Sequence, residues 1–336
     1  MDKTIRMKFD QSISQDILKR YGISGSSIQM IRCNNNFIFD VVNENDEYIL
    51  RITHESQKSK ELLMAENHWI DFLKRNNVLV SKPIESEYGN LIETLQHKKQ
   101  TYYFLLYKKV LGKSFKSNDI SPELLTKWGA LLGELHNKSR GYFANGHKHR
   151  SEEWHYDFLN PEVYLPAEKV KLIDKIILNR KRISEITKSD SNYNIIHYDI
   201  NPSNFVQTDG QLSLFDFDDC HMDFYLADIS SSLFYLLDVP NIYYTRNYSI
   251  SRNDLLKMIS NYFIVSYKTN NPDCMNDYNL MNLFLQRRAI NLFLNFYRSH
   301  DIEKLNIAHP HVLAAFEDAI LNEVQIIPDT ILSEWN

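Results

Sequence analysis

Apolar and polar positions alternate with period two in three short runs near the start of the chain, over 28–32, 37–42 and 48–52. Such alternation marks strands with one buried face. Asn34-Asn35-Asn36 separates the first two runs and Asn43 to Asp46 the next two, and these residue types favour turns. A short helix over 12–21 is expected before them, with Ser12 or Ser14 as cap and Gly22 as stop. The period then changes. Over 57–76, Leu62, Trp69 and Leu73 recur at helical spacing, with Glu66 on the same stripe. Residues 76–83 end that helix and start a strand, and a hairpin of 91–95 with 101–110 turns at His97-Lys-Lys-Gln. Ser121-Pro122-Glu123 opens a helix running to about Ser139. Further helical patterns cover 167–187, 228–237 with Asp228 as N-cap, 251–268, 277–299 and 309–324.

Composition narrows the class. With 336 residues, 43% of them hydrophobic, the chain can fill the cores of two domains. No apolar run approaches the ~20 residues of a membrane helix, and the first residues lack the apolar core of a secretory signal. Cys33, Cys220 and Cys274 are unevenly spaced, with no C-x-x-C, which predicts reduced thiols in a cytoplasmic protein. The net charge of −5 is uneven: from His197 onward, eight Lys and Arg face eighteen Asp and Glu. A basic front suits a nucleotide, and an acidic back favours a cationic second substrate. Ordinary surface charge would explain the same asymmetry. No basic run interleaves with aromatics, so nucleic acid is not an expected partner.

One stretch carries chemistry. Ile195-Ile196 leads into His197, Asp199 follows two positions later, and Asn204 five after that. Asp209-Gly210 is a hairpin signal, and the short strand 212–215 then delivers Asp216, with Asp218, Asp219 and Asp223 crowding the same short loop as a source of negative potential. Phosphoryl transfer needs a carboxylate that orients and deprotonates a hydroxyl. It also needs hard oxygen ligands for magnesium on the nucleotide phosphates. Asp199 suits the first task, and Asn204 with Asp216 the second. Taken singly, each residue is equally a turn or cap former.

The spacing H-x-D-x-x-x-x-N, followed by an acid at the end of a hairpin, resembles the kinase catalytic loop and its metal-binding acid. The segment resembles the aminoglycoside phosphotransferase and choline kinase-like superfamily, in the branch of type II homoserine kinases, hydroxylysine kinases and a bacterial stress-response kinase. That resemblance implies a bilobal α+β protein-kinase-like fold. Residues 1–107 would form an N-terminal nucleotide-binding lobe, an antiparallel sheet with one long helix. Residues 108–336 would form a larger, mainly helical lobe for catalysis and acceptor binding. ATP would lie between the lobes, with Mg2+ on Asn204 and Asp216, Asp199 as base and His197 bracing the loop.

Other roles follow from the same resemblance. Arg51 ends the third strand where kinases usually place Lys, and Glu66 is its expected partner, with Glu61 the alternative. Asn36 lies in the turn that replaces the glycine-rich phosphate loop, a departure because the turn has no glycine. Asp218 either shares the metal or lines the acceptor site. The run Leu-Gln-Arg287-Arg288 resembles a helix whose Arg lies near substrate, which makes Arg288 a candidate substrate residue. A solvated basic turn explains Arg287 and Arg288 equally well. His136 reads as a packing residue, and Asp228 as support for the backbone of the metal-binding loop. His147 and His149 lack a third ligand at useful spacing.

The implied activity is transfer of the γ-phosphoryl group of ATP to a hydroxyl of a small, amine-bearing molecule: an aminoglycoside, amino alcohol or hydroxy amino acid. A protein Ser/Thr kinase and a nucleotide-binding pseudokinase are the alternatives. The intact Asp199, Asn204 and Asp216 speak against the last.

Overall fold

In the computed structural model, which describes residues 5, 9–33, 35–44, 46–116, 119–151, 160–237, 250–300, 302–308 and 311–336, the alternating runs pair as an antiparallel sheet. Helix α1 (Ser12–Leu18) ends in a 3-10 turn at Gly22, whose φ of 69° is the left-handed conformation glycine adopts at little cost. Neither serine caps α1. Gln11 takes the N-cap position without a side-chain bond, because Ser12 turns to Asp10 and the Ser14 hydroxyl to the Gln11 carbonyl.

Strands β1 (Ser27–Cys33), β2 (Phe37–Asn43) and β3 (Asp46–His54) are sequential neighbours. After α2 (Lys60–Arg75) come β4 (Pro83–Ile84), β5 (Glu93–His97) and β6 (Gln100–Lys108). β6 pairs with β3 on one side and with β4 and β5 on the other. Lys98 and Lys99, both at positive φ, make the two-residue turn between β5 and β6. The pleat sorts the residues. Phe37, Phe39, Val41, Leu50 and Ile52 bury their side chains with Ile13, Ile17 and Leu18 of α1. Arg51 and Thr53, one residue out of phase, point to the other face. On α2 the buried stripe is Leu63, Glu66, Ile70 and Leu73, so Glu66 is an acid within an apolar face, while Glu61 is exposed.

Two units result: Met1–Lys113 with Phe143–His149 and Ser213–Phe215, and Ser114–Tyr142 with Arg150–Leu212 and Asp216–Asn336. The second is mainly helical. It holds α3 (Pro122–Ser139), α4 (Pro161–Tyr164), α5 (Val170–Ser184), α6 (Tyr225–Leu236), α7 (Arg252–Met258), α8 (Val265–Asn270), α9 (Met281–Ser299), α10 (Ile302–Ala308), α11 (Val312–Leu321) and α12 (Asp329–Trp335). The expected helix over 251–268 is interrupted by a π-helical turn, Ile259–Ile264. Short strands remain: β7 (Tyr193–Ile196) pairs with β10 (His221–Phe224), and β8 (Phe205–Thr208) with β9 (Gln211–Leu214) through the Asp209-Gly210 turn. Within the first unit, the strand expected to start by Pro83 is the short β4, and ahead of it Ser81 donates its N–H to the Leu214 carbonyl beside the Val80–Leu214 bridge.

Asp228 does not cap α6. The helix begins three residues earlier, with Phe224 at the N-cap. Expected helical residues 309–310, turn residues Asn34 and Asn45, and part of the segment after Phe143 lie outside the described residues. Among the described residues no helix is long and apolar enough to cross a membrane.

Candidate active site

β7 ends in two fully buried isoleucines, and the loop that follows is held in place by its backbone. The Asp228 carboxylate accepts the N–H groups of His197 at 2.9 Å and Tyr198 at 2.8 Å. Asp228 also accepts from His136 Nε2 at 3.1 Å, and His136 Nδ1 bonds the Tyr267 hydroxyl at 2.9 Å. Burial pushes the Asp228 carboxyl up, but the donors around it more than offset this and hold it below the usual range. Burial lowers His136, which stays neutral. The structure thus gives Asp228 the backbone of the His197 loop, one loop earlier than expected. α6 supplies two more ties, Ser231 to the Tyr198 carbonyl at 2.6 Å and Ser232 to the Ile200 carbonyl at 3.0 Å. These bonds hold Tyr198 at φ 70°, a strained value for a bulky residue.

The turn at Tyr198 presents Asp199. His197 is fully buried, and its Nδ1 accepts the Asp199 N–H at 3.2 Å, which puts its proton on Nε2. An Asx turn at Asn201 brings Asn204 back, and Asn204 Nδ2 donates at 2.8 Å to both the carbonyl and Oδ2 of Asp199. With its nitrogen on Asp199, Asn204 keeps its carbonyl oxygen for other partners, and the Ser203 hydroxyl reaches it at 3.4 Å. Asp199 Oδ1 accepts from Arg288 Nη2 at 2.8 Å and from the Tyr235 hydroxyl at 3.1 Å. The Tyr235 ring is partly open, and desolvation around its hydroxyl is the leading cause that pushes the phenol up to about 12, so it remains a donor.

β9 delivers Asp216, which sits at φ 65° and ψ 63° ahead of a 3-10 turn, Phe217–Asp219. Burial, then the Asp218 and Asp199 carboxylates, push Asp219 up to about 6, with Arg288 and Arg150 pulling the other way. Asn204 and Asp216 offer the hard oxygens that magnesium prefers. Magnesium is commonly held by one or two side chains, with phosphate oxygens and water completing its shell. The donor set therefore fits, although no group of three His, Cys, Asp or Glu among the described residues could hold a metal ion.

Two expectations are corrected. Asp223 is not a free acid of this loop: it is buried, paired with Arg287 at 2.6 Å and bonded to His221 Nε2 at 3.0 Å. Arg287 and Arg288 do not form a solvated turn. Arg287 is buried against Asp223, and Arg288 lies over the Tyr198 ring beside Asp199. Successive helix positions point about 100° apart, so the adjacent Arg287 and Arg288 meet different acids.

In the first unit, Arg51 grips Glu66 with both nitrogens, at 2.6 and 3.2 Å. Lys58 joins the same carboxylate at 2.7 Å, and all three side chains are buried. Losing one partner of such a buried set typically costs about 3–5 kcal/mol. Thr53 donates its hydroxyl to Asn36 Oδ1 at 2.8 Å, so the Asn36 side chain is tied to the strand. The His147 ring stacks on His68 of α2 at 4.4 Å. Sequence reasoning did not find Lys58, which lies in no periodic pattern, or Tyr235, which reads as one aromatic of an apolar helix.

The profile of the phosphotransferase enzyme family, APH, matches residues 33–253. Amicoumacin kinase of Bacillus subtilis (strain 168) is 23% identical over 206 residues, and the match spans 61% of this chain and 61% of that protein. A solved amicoumacin kinase in complex with AMP-PNP, Ca2+ and Ami superposes with a TM-score of 0.88 at 22% identity, over 98% of both chains. A microcompartment-associated aminopropanol kinase gives 0.74 at 17% identity, over 93% of this chain and 98% of the other. Likenesses at such identities show the fold, a mixed α+β fold of the protein-kinase-like kind.

Proposed function

The chain belongs to the phosphotransferase enzyme family, and on that premise we propose that it moves the γ-phosphoryl group of ATP to a hydroxyl of a small, amine-bearing molecule. The observation that carries the reading is Asp199, a carboxylate locked by Asn204 on one oxygen and open to a further donor. Asp199 orients the acceptor hydroxyl and takes its proton. Asn204 and Asp216 hold magnesium, which when bound neutralises charge on the nucleotide phosphates. Arg51, kept in place by Glu66 and reinforced by Lys58, offers positive charge to phosphate. Asn36 and the turn before β2 offer backbone amides for the same purpose. His197 holds the backbone under Asp199.

The amine is argued from charge. Burial first, and then the Asp218 and Asp199 carboxylates, raise Asp219 against the opposing pull of Arg288 and Arg150, so three acids lie close together here. A relative named for amicoumacin and a structural neighbour named for aminopropanol, an amino alcohol, support the same reading.

The test is ATP consumption by the pure protein with magnesium, over amino alcohols, aminoglycosides, hydroxy amino acids, their deaminated counterparts and a generic protein substrate. The best amine should exceed its deaminated counterpart in kcat/KM by about tenfold or more, the worth of ~1.4 kcal/mol of amine–carboxylate pairing. A neutral compound or a protein as best acceptor would sink the proposal.

A further inference from the structure

The base carboxylate is more crowded than its task alone requires. A carboxylate offers about four lone-pair positions. Asp199 Oδ1 uses two, for Arg288 at 2.8 Å and Tyr235 at 3.1 Å. Oδ2 uses one, for Asn204 at 2.8 Å. Arg288 also donates to the Tyr235 hydroxyl at 3.1 Å, so the three side chains close a triangle around Oδ1. That triangle is braced by aromatic rings. The Arg288 guanidinium lies 4.8 Å from the Tyr198 ring centroid and 5.6 Å from that of Tyr235. Tyr198 is in turn tied by its hydroxyl to Asn291 of α9, at 2.9 Å.

We propose that Arg288 and Tyr235 are positioning residues for Asp199, holding Oδ1 so that the remaining lone pair of Oδ2, beside Asn204, is the one that receives the acceptor hydroxyl. The inference rests on the reading of Asp199 as base. In the step, the acceptor oxygen forms its bond to the γ-phosphorus as the bond from that phosphorus to the β–γ bridging oxygen breaks. ADP leaves with that electron pair, and the hydroxyl proton passes to Oδ2. Without the clamp the carboxylate rotates about its Cβ–Cγ bond, and Oδ2 no longer faces one direction. Misplacement by about 1 Å can cost on the order of a hundredfold in rate. Asp199 and Arg288 remain partly open to solvent, so removing the clamp leaves no isolated buried charge.

Steady-state kinetics with nucleotide titration separate this idea from its premise. First, Asp199→Asn should lose about 10²–10⁴ in turnover while binding magnesium nucleotide like wild type. Near-normal turnover would remove Asp199 as base, a failure of the functional reading itself. Given that loss, Arg288→Met should lower kcat by about 10–100-fold with acceptor KM and nucleotide Kd nearly unchanged. Tyr235→Phe should do the same by a few-fold, and Arg288→Lys should recover part of the rate. Adding Arg288→Met to Asp199→Asn should cost nothing more, because the effect runs through the carboxylate. Three results would overturn the clamp: unchanged kcat in both single variants, a raised acceptor KM with kcat preserved, or the same loss again in the Asp199→Asn background. If Arg288→Met no longer binds nucleotide, Tyr235→Phe, which removes one hydroxyl, decides alone.

Discussion

Asp216 occupies the left-handed region, at φ 65° and ψ 63°, where a short polar side chain is tolerated far better than a branched one. A strained position suits the proposed metal ligand, which must point one way. Asp216→Ala should therefore weaken magnesium-nucleotide binding by about tenfold or more, through loss of an anionic hard ligand. Titrations with and without magnesium check this, and equal metal dependence in variant and wild type would refute it. At this scale much was legible in the sequence. The spacing of His197, Asp199 and Asn204 is a loop of fixed length, so reading it predicts its geometry. The pairing of Arg51 with Glu66 was legible too, because an acid on an apolar stripe requires a partner. Tyr235 and Lys58 were not, since their contacts are made by residues distant in sequence or in an irregular turn. Asp223 was misread for a related reason. Its charge is cancelled by Arg287, and nothing local distinguishes a neutralised acid from a free one.

Helix α3 passes so close to the π-helical turn and α8 that two of its positions admit no side chain. A Cβ on Gly129 would lie 2.1 Å from the Phe263 carbonyl oxygen, and one on Gly133 would lie 2.5 Å from that of Tyr267. The Tyr267 hydroxyl bonds His136, and His136 bonds the Asp228 that holds the His197 loop. Packing and the backbone of the His197 loop are thus linked through one helix face. Gly133→Ala should destabilise the protein by about 1–3 kcal/mol, as overpacking commonly does, with the backbone of α8 pushed outward. It should also lower kcat, whereas Gly129→Ala, against the π turn, should act on stability with less effect on rate. Thermal unfolding and kinetics of the two variants separate these outcomes, and an undisturbed melting temperature in both would contradict the packing argument. Element existence was legible from periodicity, and the Ser121 cap and the Asp209-Gly210 turn from local chemistry. The π turn was not, because it conserves the apolar pattern while shifting its phase. The start of α6 was missed because Tyr225 and Leu226 belong to a continuous buried run, where an acid draws the eye as a cap.

At the scale of the whole molecule, charge separates along the chain. Eight Lys and Arg against eighteen Asp and Glu follow His197, and the earlier residues carry a small positive excess. The field at the acceptor is not the sum of those acids. Asp223 is cancelled by Arg287, Asp228 is shielded by His136 and backbone donors, and Asp199 has Arg288. The carboxylates of Asp199, Asp218 and Asp219 still act on one another, with Arg288 and Arg150 offsetting part of their charge. A residual negative potential, weaker than the raw count implies, should still draw a cationic acceptor. Such attraction acts over about a Debye length, ~10 Å at 0.1 M salt, and is screened beyond it. With magnesium-ATP saturating, raising the ionic strength should therefore raise KM for an amine acceptor while leaving its kcat nearly constant. A hydroxyl compound of the same shape without the amine should show no such rise. Parallel salt series on the two compounds decide the matter. An equal response would mean that the acids serve the metal and the fold alone, and the amine preference would then need a direct contact to explain it.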